Sequence, residues 1–226
     1  MYYKFKVKLK ELNILSNILF ILLLVLTYLL FPKIIILGFV QLGKINNIFL
    51  LFLIMFIYLA LHELFHSLAY MFFGANFKNV TYGIKLEKGI FYCLCKQDIT
   101  RKCVLNSLMY PLFYLGIVIY IMSLVINSSL LMFLSITNIS GCMADIMYFI
   151  FIIKLDKNIK FTEMDDGVSF AILSDKDITN IKHFGLEYIG KSKTIERNDF
   201  KKIRISKLSY ILFFIFIMLT ILFCLL

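Results

Sequence analysis

Charge is scarce in this chain. Of its 226 residues only 17% are charged and 61% are hydrophobic, with a mean hydropathy of +0.89. A soluble domain is roughly 45–50% apolar, so an ordinary water-soluble globule is excluded and lipid is the expected solvent. A signal-peptide cleavage site is also missing. The basic start Met-Tyr-Tyr-Lys-Phe-Lys-Val-Lys leads into an apolar run, but no small-residue site follows Phe31, which predicts an uncleaved first span. The cysteine count is low and odd, at five, and Cys93, Cys95 and Cys103 fall in a loop assigned below to the reducing cytoplasm. A disulfide framework is therefore not expected, and Cys93-x-Cys95 without a second thiol pair reads as incidental rather than as a metal pair.

Long apolar runs are present at about Ile14 to Phe31, Ile45 to Phe73, Val104 to Ile126, Ser129 to Ile153 and Ser209 to Leu226. Each is near the ~20 residues needed to cross a bilayer. They predict an all-α polytopic membrane protein of about five transmembrane helices, with a small β-hairpin and a small mixed α/β segment outside the membrane. The apolar stretch from Ile34 to Val40 is too short to cross, and either continues the first span or re-enters. The expected organisation is a membrane core over 1–153, with helices at about 14–31, 45–73, 104–126 and 129–153 and a hairpin loop at 74–103. A segment at 154–208 and a last helix at 209–226 follow.

The formal net charge of +10 invites a nucleic-acid partner, but the positions of the bases give it another meaning. Segments 1–13, 74–103 and 154–208 hold 22 of the 24 Lys and Arg, leaving Lys33 and Lys44 for the opposite side. Such asymmetry is the positive-inside pattern. It predicts a multi-pass protein with a cytoplasmic N-terminus, and the richness in Lys, Ile and Asn without a targeting signal suits a bacterial plasma membrane. Lys201, Lys202, Arg204 and Lys207 are placed to meet anionic headgroups of the lipid bilayer. No motif of the usual nucleic-acid modules accompanies the charge, so no nucleic-acid partner is expected.

The extramembrane parts are short. Val80 to Leu94 alternates on either side of Glu87-Lys88-Gly89, a hairpin pattern, and Val168 to Leu173 is a candidate strand behind the turn residues Asp165-Asp166-Gly167. Neither segment is large enough for a stable core of its own. They are expected to pack on the helices or cover the cytoplasmic mouth. His183 reads as a surface residue.

Within the five runs the acidic and histidine residues are His62, Glu63, His66 and Asp145, with no Lys or Arg to neutralise them. A carboxylate in hydrocarbon is costly unless partnered, and a metal ion is the simplest partner. His62 and His66 are four apart, so a helix puts both imidazoles on one face, while Glu63 is turned about 100° away, beside an ion without ligating it. That is the His-Glu-x-x-His arrangement of zinc peptidases, with Glu63 as general base. Catalytic zinc usually has three protein ligands. Counted inward, His66 is eight residues from Gly74 and Asp145 nine from Lys154. At ~1.5 Å per residue both lie about 12–14 Å deep, which nominates Asp145 as the third ligand. Asn138, on a similar face, is placed either to bind substrate backbone or to orient a ligand, with plain helix–helix hydrogen bonding as the third option.

The helix Leu59-Ala-Leu-His62-Glu63-Leu-Phe-His66-Ser-Leu-Ala, followed by Phe72-Phe-Gly74, resembles the site-two protease type of intramembrane metalloprotease. It resembles more closely the putative zincin peptidase family of bacterial membrane proteins, through that helix, the hairpin region, Pro111 and Asn138-Ile-Ser-Gly-Cys-Met-Ala-Asp145. In site-two proteases the third ligand is an aspartate in a Pro-containing segment ending Leu-Asp-Gly. Here Ala144 and Ile146 flank the matching Asp145, and no proline lies between Asn138 and Asp145. The resemblance implies a zinc-dependent hydrolase acting on membrane-associated peptide or protein substrates. Two other classes share these residues: a divalent metal transporter, and a non-catalytic scaffold or immunity protein derived from a peptidase.

Overall fold

The computed structural model describes residues 1–36, 48–85, 90–164, 169–181 and 183–195. The chain opens with a strand, β1 (Tyr2–Val7), in which Tyr3, Phe5 and Val7 point inward and alternate with Lys4 and Lys6. Period-two alternation of this kind fits a strand with one buried face. Helix α1 (Leu9–Leu30) follows directly and presents Leu22, Leu29 and Leu30 outward. Helix α2 (Ile48–Phe72) carries the His-Glu-x-x-His motif and ends just before Gly74, which adopts φ +103°. A β-carbon is strained in that conformation, so glycine is the residue that lets the chain turn off the helix there.

The hairpin β2 (Val80–Lys85) and β3 (Ile90–Cys95) comes next, then the short β4 (Ile99–Thr100). Thr100 caps α3 (Arg101–Pro111) by accepting from the Cys103 N–H. Beyond Pro111 the helix widens into a π-helical segment, Leu112–Val118, before α4 (Ile119–Val125). Two further helices, α5 (Ser129–Gly141) and α6 (Met143–Ile153), meet at Cys142 with a bend of 43°. Strands β5 (Lys160–Glu163), β6 (Ser169–Leu173) and β7 (Leu186–Ser192) complete the described chain.

The expectation of an all-α fold is overturned. The protein is mixed α/β: β1, β4, β5, β6 and β7 form one antiparallel sheet of order β4-β5-β6-β1-β7. The N-terminal segment, taken from its lysines as a basic flank, sits inside that sheet between β6 and β7. Pairing across such sequence separation is set by the apolar faces that must be buried together, and no local pattern announces it. Phe5 stacks on Phe170 and meets Phe151 edge-on, so the sheet shares one core with α3 and α6 through Val104, Leu108, Phe151 and Ile152. That shared core supplies what two small segments lack alone.

Among the described residues three helices are long and apolar enough to cross a membrane, Leu9–Leu30, Leu51–Phe72 and Arg101–Val125, or four if the bent α5–α6 pair is one span. The predicted helix at 209–226 lies outside the described residues, as do the hairpin turn 86–89, the turn 165–167 and the stretch 37–47. The expected strand at 168–173 appears as β6 from Ser169 onward. His183 is half-buried, its ring against Phe151 at 5.6 Å.

The sheet is tied to the helices by Glu163. Its carboxyl accepts from Tyr70 Oη at 2.8 Å and from the Cys95 main-chain N–H at 2.7 Å. Burial pushes this carboxyl up from 4.5 to about 7, against the downward pull of those two hydrogen bonds. Folded Glu163 therefore keeps its proton where the unfolded chain has lost it, so this residue's contribution is full below pH 4.5 and is lost as pH rises to about 7. Thermal unfolding in detergent should show a midpoint that falls across that window in the wild type, and a shallower fall in Glu163→Gln. Parallel pH profiles for the two proteins would refute the assignment.

Candidate metal centre

Helix α2 places His62 and His66 one turn apart, with the His66 ring buried and the His62 ring nearly so. Their Nε2 atoms are 3.1 Å apart. Asp145, from α6, reaches the same point: its carboxylate oxygens lie 3.5 Å from His62 Nε2 and 3.5 Å from His66 Nε2. Four-coordinate zinc with bonds of ~2.0–2.1 Å has ligand atoms about 3.3 Å apart. The two Nε2 atoms, 3.1 Å apart, and the 3.5 Å from each to its own Asp145 oxygen, Oδ2 for His62 and Oδ1 for His66, are close to that edge length. Among the described residues this is the group of His, Cys, Asp and Glu side chains that could hold a metal ion.

The tautomers follow from the partners of the other ring nitrogens. His66 Nδ1 is 2.9 Å from the Ser107 carbonyl oxygen, and a carbonyl can only accept, so Nδ1 carries the proton. Asn138 Nδ2 donates to the Pro111 carbonyl at 3.0 Å, which turns its Oδ1 toward His62 Nδ1 at 2.9 Å. His62 Nδ1 is then the donor as well. In the neutral rings both Nε2 atoms therefore bear lone pairs, and these face each other and a carboxylate. Three electron-pair donors at such spacing repel unless a cation lies between them. The residues fit zinc in number, distance and protonation.

Two features of the chain make the convergence possible. The break at Cys142 starts a new helix at Met143, so Asp145 sits in its first turn, where the positive end of the helix favours a carboxylate. Asn138 and Asp145 then face opposite nitrogens of the His62 ring. The sequence-predicted set thus comes together as follows: His62, His66 and Asp145 meet at one point, and Glu63 stands beside them, near the Cys93 main-chain N–H. The Asn138 amide is used by the protein itself, on His62, Pro111 and Cys142, which favours the orienting role over substrate contact. Sequence reasoning missed the Ser107 carbonyl, since a main-chain acceptor carries no residue-type signal. Cys142, whose Sγ is 4.0 Å from His62 Nδ1, was missed too.

Residues 54–160 match the model of the family described as putative zincin peptidase. No curated protein and no solved structure matches the chain. The matched stretch holds His62, Glu63, His66 and Asp145, and it bears out the resemblance to the putative zincin peptidase family.

Metal analysis of the purified protein should give stoichiometric zinc for the wild type and loss of it in His66→Ala and in Asp145→Ala. Asn138→Leu should keep the three donors but weaken binding by about 10–100-fold, the usual cost of removing a histidine's outer partner. Undiminished zinc in the Asp145 variant would remove that residue from the ligand set.

Proposed function

We propose that this chain is a membrane-embedded, zinc-dependent metallopeptidase that hydrolyses peptide bonds of membrane-associated peptides or proteins. The observation that supports this best is the meeting of two unprotonated imidazole nitrogens and a carboxylate at tetrahedral-edge distances, with Glu63 beside them. Family similarity over residues 54–160 supports the peptidase class independently of that geometry.

His62, His66 and Asp145 would hold Zn²⁺, which when bound supplies Lewis acidity toward a water and a peptide carbonyl. Glu63 is the proton carrier. Its carboxylate follows His62 directly on α2 and lies beside the Cys93 N–H of β3. From there it takes a proton from the attacking water and returns it to the leaving amine nitrogen. The Ser107 carbonyl and Asn138 fix the two rings, so the donors need no rearrangement when the ion binds.

The substrate class follows from where the site lies. The motif helix is one of the three long apolar helices, and the cluster is about two to three turns from the end that meets the sheet. A peptide reaching it would come along the membrane or from the sheet side, which the Lys and Arg distribution assigns to the cytoplasm. Hairpin β2–β3 packs on the motif helix at this end, where Tyr82 donates to Ser67 Oγ.

The decisive variant is Glu63→Gln. With a mixed-sequence peptide library in detergent micelles as probe, new N-termini counted by mass spectrometry should fall by about 10²–10⁴-fold. Bound zinc should be unchanged. Full cleavage by Glu63→Gln would show that the base lies elsewhere.

A further inference from the structure

We propose that Pro111 is a positioning residue of the metal centre, which reserves the Ser107 carbonyl for His66 and holds both metal-facing imidazoles in register. This rests on the zinc site described above and adds a role for a residue that touches neither the ion nor substrate.

In a regular α-helix the N–H of residue 111 would donate to the carbonyl of residue 107. Proline has no N–H, and its ring clashes with the carbonyl four residues before it, tilting that carbonyl off the helix axis. The carbonyl so released is Ser107's, the acceptor of the His66 Nδ1 proton at 2.9 Å. Ser107 is fully buried and His66 is 8% exposed, so water is a poor substitute for this acceptor. The helix does not resume its regular ladder afterwards. Leu112 N–H turns back to the Met109 carbonyl, and the π-helical segment Leu112–Val118 begins. Pro111's own carbonyl takes the Asn138 amide at 3.0 Å, and that amide orients His62. Close packing keeps the arrangement in place, since a β-carbon at Gly116 would come within 2.8 Å of Ile139 and 3.6 Å of Asn138 Nδ2. One imino acid thus stands behind both rings, through the carbonyl four residues before it and through its own.

Replacement by alanine restores the N–H and removes the ring. The helix can then close its ladder onto the Ser107 carbonyl, drawing it toward the axis and away from His66. The expected result for Pro111→Ala is zinc binding about 10-fold or more weaker than wild type, in the range seen for lost outer partners. The cobalt-substituted protein should show an altered d–d absorption spectrum, which a general loss of stability would not produce in the folded fraction. A second variant separates the two effects of proline. Incorporating the α-hydroxy analogue of alanine at position 111 gives an ester without an N–H, and it should recover most of the affinity and the wild-type cobalt spectrum. Pro111→Ala with wild-type zinc affinity and spectrum overturns the proposal alone. An ester as weak as alanine overturns the reserved-carbonyl account as well. A wild-type protein that binds no zinc would overturn the metal centre itself and this proposal with it.

Discussion

Two protons govern the centre of this molecule. Each sits on a histidine Nδ1 and is committed to an oxygen that can only accept, the Ser107 carbonyl for His66 and Asn138 Oδ1 for His62. With those protons fixed, both Nε2 lone pairs face the Asp145 carboxylate inside a largely apolar surround. Coulombic interactions between such groups grow as the local dielectric falls. An arrangement of bare donors is therefore poor on its own and good around a cation. The fold holds it by one main-chain carbonyl and one side-chain amide oxygen rather than by neighbouring bases.

The irregularities of the helices serve that constraint. A straight helix over 129–153 would bury Asp145 in mid-helix, where its carboxylate gains nothing from the backbone. The break at Cys142 gives it a helix N-terminus instead. In the third span the chain departs from α-geometry next to the histidines, through Pro111 and the π-helical turns that follow. π-Helical insertions are found mostly at functional sites because they offer main-chain groups that a regular ladder keeps for itself. Tyr58 uses the same segment, donating to the Leu115 carbonyl at 2.5 Å. Carbonyls 107, 111 and 115, spaced at four, thus receive polar side chains from α2 and α5.

What could be read from sequence divides along physical lines. His62, Glu63, His66 and Asp145 were legible because helical periodicity and the fixed rise per residue turn spacing into azimuth and depth. Two counts from opposite directions along the chain placed His66 and Asp145 at one level, and the structure puts them 3.5 Å apart. Of the five-stranded sheet only β6 was legible. β1 pairs with β6 across most of the chain, and its alternation of Tyr3, Phe5 and Val7 with Lys4 and Lys6 was outweighed by the charge pattern of a membrane flank. A central strand is a tertiary fact, fixed by which apolar faces must meet. Likewise Pro111 was visible as a residue, but its consequence lies on a carbonyl four positions earlier.

The sheet also bears on the chemistry through β3. Alternate residues of a strand direct their N–H groups to the same edge, so those of Cys93 and Cys95 both face away from β2. The Cys95 N–H is taken by Glu163 of the sheet, and Glu63 of the motif helix lies beside the Cys93 N–H two residues away. Two carboxylates from different layers therefore face the same strand edge. The N-terminal strand, which the sequence reading treated as a basic cytoplasmic flank, is in this way connected to the hairpin: β1 is bonded to β6, β6 to β5, and β5 carries Glu163.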